Sequence, residues 1–218
     1  MMENQTLLDA LRRHRIIAAL RGLRSDEFVP TARALYEGGV RMLEVTFDQS
    51  SPAALSDTPA AIEAIRGAMG DDVLVGAGTV VTVEQARAAA KAGAAYMLAP
   101  NFDPEVVAEA RALGMAAIPG ALTPSEIAAA WKAGAAAVKL FPAGNFGVGY
   151  VKAVSAPLNH IPLMAMGGVD EKNLLDYLAL PTMAGVGVGS AIVKLNLIRS
   201  GDWAGLTALA RAYTKQLT

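Results

Sequence analysis

Two charged residues stand in runs where charge is costly. Lys139 lies in Ala137-Val-Lys-Leu-Phe-Pro142, an apolar run that stops at a proline unable to continue a sheet, and Glu44 lies in Met42-Leu-Glu-Val-Thr46. A strand covered on both faces offers no water, so an ammonium within it must reach an open strand end or be held as the neutral amine. A desolvated lysine has a lowered pKa and keeps free amine near neutral pH, which can attack a carbonyl and form a Schiff base. A nearby carboxylate can then relay the protons that carbinolamine dehydration and enamine formation require. Such chemistry makes or breaks a carbon–carbon bond beside a ketone. The bland readings are an edge-strand lysine whose head snorkels into water, or a structural ion pair between Lys139 and Glu44.

The elements around these residues decide. Eight short apolar runs alternate with amphipathic helical segments: 15–22, 41–47, 73–79, 95–100, 115–120, 137–142, 162–168 and 184–190. The spacing leaves room for one helix and two turns per unit, which is the pattern of repeated βα units with parallel strands. Ser25, Thr82, Asp103, Thr123 and Asp170 are candidate N-caps, Pro104 and Pro124 suit the first helical position, and Thr82 with Gln85 and Thr123 with Glu126 match the capping box. Gly38, Gly93, Gly114 and Gly134 fall where left-handed C-caps are expected. The sequence thus predicts an α/β fold, a single-domain (β/α)₈ TIM barrel over residues 1–218, with an extra N-terminal helix from about Thr6 to Arg13 closing the bottom. A doubly wound open sheet is the runner-up, but no Gly-x-Gly-x-x-Gly opens a helix after the first strand.

In such a barrel the C-terminal strand ends carry chemistry. The polar residues there are Arg21, Glu44, Thr46, Asp48, Thr79, Asn101 after Pro100, Lys139 and Ser190. Gly167-Gly168 and Gly189-Ser190 end the seventh and eighth strands, where small residues let backbone N–H groups approach a phosphate. Taken alone, Gly-Gly is only a tight turn. Arg21 suits clamping a carboxylate through its planar fork; its alternative is a surface salt bridge.

Composition excludes several classes. With 19 basic against 20 acidic residues and no basic run, nothing suggests nucleic acid, and the expected partner is a small molecule. There is no cysteine, and the only histidines are His14 and His160, far apart, so no zinc-type cluster and no bound metal or cofactor is expected. Dispersed carboxylates could still hold magnesium on a substrate phosphate. The chain is 53% apolar without an apolar stretch of membrane length or a signal-like start, which gives the expectation of a cytoplasmic protein that does not engage a membrane.

Taken together, Leu43-Glu-Val-Thr46, Val75-Gly-Ala-Gly-Thr79, Met115 to Gly120, Val138-Lys-Leu-Phe-Pro142, Gly167-Gly168 and Gly187-Val-Gly-Ser190 resemble the 2-keto-3-deoxy-6-phosphogluconate (KDPG) aldolase family. That family includes 2-keto-3-deoxy-6-phosphogalactonate and 4-hydroxy-2-oxoglutarate (KHG) aldolases. The resemblance runs from about Arg15 to Lys194. It implies a homotrimeric class I aldolase that cleaves a phosphorylated keto acid to pyruvate and glyceraldehyde 3-phosphate. It also implies that Lys139 forms the Schiff base, Glu44 is the general acid/base, Thr79 contacts the pyruvyl end and Pro100 shapes the pocket. By the same resemblance Gly167, Gly168 and Ser190 cradle the phosphate. Many gluconate-type members carry an arginine where Asp48 stands, so the carboxylate role passes to Arg21. Met166 replaces a frequent threonine, and Pro100-Asn101 and Phe141 to Phe146 resemble galactonate-type members more closely. The competing functions are a non-covalent phosphate-barrel epimerase or synthase, and a phosphosugar-binding protein without turnover.

Overall fold

The computed structural model describes residues 2–217. Its strands are β1 (Ile16–Leu20), β2 (Met42–Thr46), β3 (Leu74–Gly78), β4 (Tyr96–Leu98), β5 (Ala116–Ile118), β6 (Gly120–Ala121), β7 (Val138–Leu140), β8 (Leu163–Met166) and β9 (Met183–Val188). Ten helices accompany them among the described residues: α1 (Asn4–His14), α2 (Phe28–Glu37), α3 (Ala54–Met69), α4 (Val83–Lys91), α5 (Pro104–Ala112), α6 (Pro124–Lys132), α7 (Ala143–Ser155), α8 (Leu174–Leu178), α9 (Leu195–Ser200) and α10 (Trp203–Thr214). Every pairing is parallel, in the order β5-β4-β3-β2-β1-β9-β8-β7-β6.

The two ends of that order are halves of one stave. Pro119 alone separates β5 from β6, and a proline has no N–H for a ladder, so the fifth of the eight expected strands is split where it changes partners from β4 to β7. Eight staves close the barrel, as the sequence predicts.

Alternation along each strand sorts the core into two layers. Ile16, Leu43, Val45, Val138, Leu140 and Leu163 face the surrounding helices. Ile17, Ala19, Met42, Tyr96, Ile118 and Met164 fill the interior together with Leu7, Leu8 and Leu11 of α1. The N-terminal helix is therefore a plug at the bottom. Each fully buried leucine or isoleucine of this kind contributes about 1.5–3 kcal/mol through removal from water.

Local signals are mostly realised. Thr82 and Asp103 accept helix N–H groups, and Thr123 with Glu126 forms a complete capping box. Three expectations are corrected. Ser25 caps nothing, because residues 25–27 form a turn and α2 begins at Phe28. Asp170 caps a turn, accepting from the Lys172 N–H, and α8 starts after Asn173. The left-handed residue after α2 is Gly39 (φ 98°), whereas Gly38 is right-handed and lets α10 approach, since a side chain there would strike Ala210 and the Thr207 carbonyl.

Candidate active site

Alternation also builds the site. Lys139 and Phe141 are two apart and share a face, as do Glu44 and Thr46, and as do Ala19 and Arg21. In register, Ala19 pairs with Glu44, Glu44 with Gly76, Gly120 with Lys139 and Lys139 with Met164. Lys139 and Glu44 thus form one interior layer, with Arg21, Phe141 and Met166 one step nearer the mouth.

Both charges are withdrawn from water: Lys139 is 3% exposed and Glu44 1%. Room for the carboxylate comes from β3, where any side-chain carbon at Gly78 would coincide with Glu44 Oε1. Tyr96 lies lower in the interior against Gly76, its hydroxyl donating to the Leu43 carbonyl at 2.8 Å. Burial first, and the Glu44 charge second, hold its phenol well above the ordinary tyrosine range.

No direct ion pair joins Lys139 to Glu44; among the described residues ion pairs link Arg24 to Asp26 and Glu27, and Arg87 to Glu109. The structural ion-pair reading therefore fails. Glu44 Oε1 accepts from the Thr46 hydroxyl at 3.4 Å, while Oε2 is buried without a hydrogen-bond partner. Lys139 Nζ lies 4.9 Å from the Phe141 ring centroid. Burial pushes the Lys139 ammonium below the ordinary lysine range, Glu44 pulls it back in part, and Arg21 adds to the depression.

That shift has a consequence for stability. Between the depressed folded pKa and the ordinary value of about 10.4, the unfolded chain binds the proton that the folded protein refuses, so stability rises with pH across the window and is lost as pH falls through it. Lys139→Met is expected to raise the melting temperature near neutral pH. The gap should close as pH approaches the upper end of the window, which thermal melts of both proteins across pH would reveal.

Above this layer lies a cavity of about 560 Å³, lined by Arg21, Phe141, Met166, Gly167, Gly168 and Gly189 with Ser190 and neighbouring residues. Gly167 (φ 84°) and Gly168 (φ 78°) require glycine for their backbone alone, and Gly144 packs against Gly168 so closely that a side chain on either would strike backbone. Gly189 is different. Its φ is not left-handed, and a side chain there would meet nothing nearer than the Ala19 Cβ at 4.0 Å.

Arg21 is not in a surface salt bridge. Its Nη2 donates to the Thr79 hydroxyl at 3.1 Å, although the two are far apart in sequence. Thr79 itself has φ 54°, an outlier for a β-branched residue. Pro100 is half-buried, and its carbonyl lies where a side chain on Gly120, the register partner of Lys139, would be. Asp48 is exposed and bonded to Ser50, and it lines a second hollow of about 540 Å³ with Thr46 and Arg24.

The sequence reading missed Phe141 as a functional residue, though its two-residue spacing from Lys139 carries the signal. It also took Gln85 for a reciprocal cap. Its amide oxygen instead accepts from the Val81 N–H, and its nitrogen donates to Gln49.

A closed parallel barrel with a desolvated lysine and an unpaired carboxylate beneath a glycine-walled cavity defines a class of enzyme that works through a covalent amine intermediate. The profile of the KDPG and KHG aldolase family matches residues 7–209, and the chain belongs to that family. It is 40% identical over 207 residues to a 2-dehydro-3-deoxy-phosphogluconate aldolase of Treponema pallidum, covering 94% of this chain and 95% of that one. It is 37% identical to a 2-dehydro-3-deoxy-6-phosphogalactonate aldolase of Escherichia coli, covering 92% and 93%. Among solved structures, KDPG aldolase from Legionella pneumophila, with pyruvate captured as a covalent carbinolamine intermediate, superposes with a TM-score of 0.85 at 30% identity, covering 97% of this chain and 98% of that one. The protein is a class I, Schiff-base aldolase, a carbon–carbon lyase. No helix among the described residues is long and apolar enough to cross a membrane.

Proposed function

We propose that the protein cleaves a 2-keto-3-deoxy-6-phospho sugar acid to pyruvate and glyceraldehyde 3-phosphate, with Lys139 as the nucleophile and Glu44 as the general acid/base. The observation that carries this reading is a buried lysine with lowered pKa that faces a carboxylate it does not neutralise by contact. The Lys139 amine adds to the C2 carbonyl, and loss of water leaves an iminium. Glu44 takes the proton of the C4 hydroxyl, the C3–C4 bond breaks, and its electrons flow into the iminium to give an enamine as the aldehyde leaves. Reprotonation at C3 and hydrolysis release pyruvate and the free lysine.

Arg21 and the Thr79 hydroxyl form a pair of donors for the substrate carboxylate. The hydroxyl accepts from Arg21 and keeps its own proton to give. Pro100 holds the adjacent wall. Gly167, Gly168, Gly189 and Ser190 cradle the phosphate; among the described residues no protein acceptor takes the N–H of Gly168 or Ser190. Gly189 supports this most directly, since neither backbone conformation nor packing demands glycine there. The proposed setting is a single catalytic domain in a cytoplasmic homotrimer, supported by the family resemblance, with exposed Leu55 and Phe146 as apolar side chains that a subunit contact could cover.

Gly189→Val is expected to raise KM for the 6-phospho keto acid by about tenfold to a hundredfold, while 4-hydroxy-2-oxoglutarate, which has no phosphate, is affected far less. Equal effects on both substrates would remove the phosphate role. Specificity constants for the gluconate and galactonate epimers, measured side by side, assign the sugar that Asp48 and Met166 leave open.

A further inference from the structure

Thr79 holds a backbone conformation that a β-branched residue adopts only when its surroundings impose it. Two sets of bonds hold it: the Val80 N–H donates to the Leu98 carbonyl at 3.0 Å, and a chain of amides runs across neighbouring loops. The Val81 N–H donates to Gln85 Oε1 at 2.8 Å, Gln85 Nε2 donates to Gln49 Oε1 at 2.9 Å, and Gln49 Nε2 donates to the Thr79 carbonyl at 2.8 Å. The Thr79 hydroxyl in turn accepts from Arg21. A backbone N–H can only donate and a carbonyl can only accept, so the two ends of the chain allow each glutamine amide one orientation. Gln85 is buried in the first turn of α4, which follows Thr79 in its own unit, Gln49 is exposed after β2, and Arg21 follows β1, so three successive βα units meet at Thr79.

We propose that Gln49 and Gln85 are positioning residues for substrate recognition. They lock Thr79, and through its hydroxyl Arg21, in the geometry that receives the keto-acid carboxylate. This rests on the assignment of Arg21 and Thr79 to that carboxylate. The bland alternative is a relay that only stitches loops together and serves stability.

Gln49→Glu separates the two. It keeps the size of the side chain and its acceptor for Gln85, but it deletes the donor to Thr79 and sets a carboxylate against that carbonyl. The readout is Schiff-base formation by borohydride trapping with pyruvate and with pyruvamide, which has the same ketone but no charge. The natural enzyme should favour pyruvate; Gln49→Glu should lose about tenfold of that preference, chiefly through half-saturating concentration, with the maximal trapping rate changing by less than about threefold. Gln49→Ala should act in the same direction. In an Arg21→Ala background the Gln49→Glu change should cost clearly less preference than in the natural enzyme, since only the Thr79 hydroxyl is then left for the relay to position.

Loss of preference in Arg21→Ala but not in either Gln49 variant would overturn the relay and leave the Arg21 assignment standing. If Arg21→Ala also kept full preference, the carboxylate assignment and the relay would fall together. Independent, multiplying losses in the double variant would overturn the route through Arg21. A lowered melting temperature with both ligands affected equally would assign the glutamines to stability alone.

Discussion

Lys139→Ala is expected to lower turnover by about 10⁵- to 10⁶-fold, the scale seen when a covalent nucleophile is removed. Borohydride reduction of the natural enzyme with pyruvate should add one reduced pyruvyl group, located by peptide mass at Lys139, and the variant should take up none. The expectation rests on the absence of any other lysine in the barrel interior, where Lys139 is the one buried cation among the described residues. An adduct at another lysine, or appreciable turnover by the variant, would contradict the assignment. The volume-conserving Lys139→Met change, which should abolish turnover as fully, is expected to stabilise the unliganded fold near neutral pH, because burial lowers the Lys139 pKa more than Glu44 raises it. A large loss of rate together with a gain in melting temperature is hard to produce by misfolding.

Glu44→Gln should lower kcat by about 10²- to 10⁴-fold, the usual worth of a positioned general acid/base. Lys139 would still be trapped by pyruvate and borohydride, more slowly. The amide keeps an oxygen for the Thr46 hydroxyl, so the local geometry is little disturbed. The sign of the electrostatics makes the test sharper. Glu44 raises the Lys139 pKa, so its neutralisation leaves that amine more, and not less, deprotonated. A fall in kcat then reports lost proton transfer and cannot reflect a shortage of free amine. Full retention of kcat would transfer the acid/base role elsewhere.

Much of this was legible in residue order because the decisive signals are local or periodic. The barrel follows from eight apolar runs, and the site's central layer follows from charges placed where a doubly covered strand has no solvent. Capping positions follow where side chain and backbone lie within one turn, as at Thr123 and Asp103. What was not legible depends on contacts distant in sequence. Gln49 reaches Thr79 thirty residues away and Gln85 thirty-six, and Arg21 meets Thr79 across fifty-eight. Gln85 fits a capping pattern so well that its outward bond to Gln49 carries no trace in the local motif. Gly38 was misassigned for a similar reason: the close approach of α10 that demands it begins at Trp203. The division of the fifth strand at Pro119 is visible in the sequence, but its meaning, a change of partner, appears only once the barrel closes.

The glycines around the cavity fall into two kinds with different evolutionary freedom. At Gly144, Gly167 and Gly168 the walls meet backbone to backbone, with the Gly144 N–H donating to the Gly167 carbonyl at 2.7 Å, so this corner tolerates almost no change of residue. Gly189 and Met166 border the same space without such constraints, the first with nearly empty surroundings. Adaptation of this scaffold to an acceptor aldehyde that carries no phosphate, by selection in nature or in a laboratory library, therefore has an uneven landscape. One wall is frozen by its own geometry, and successful variants should accumulate on the other.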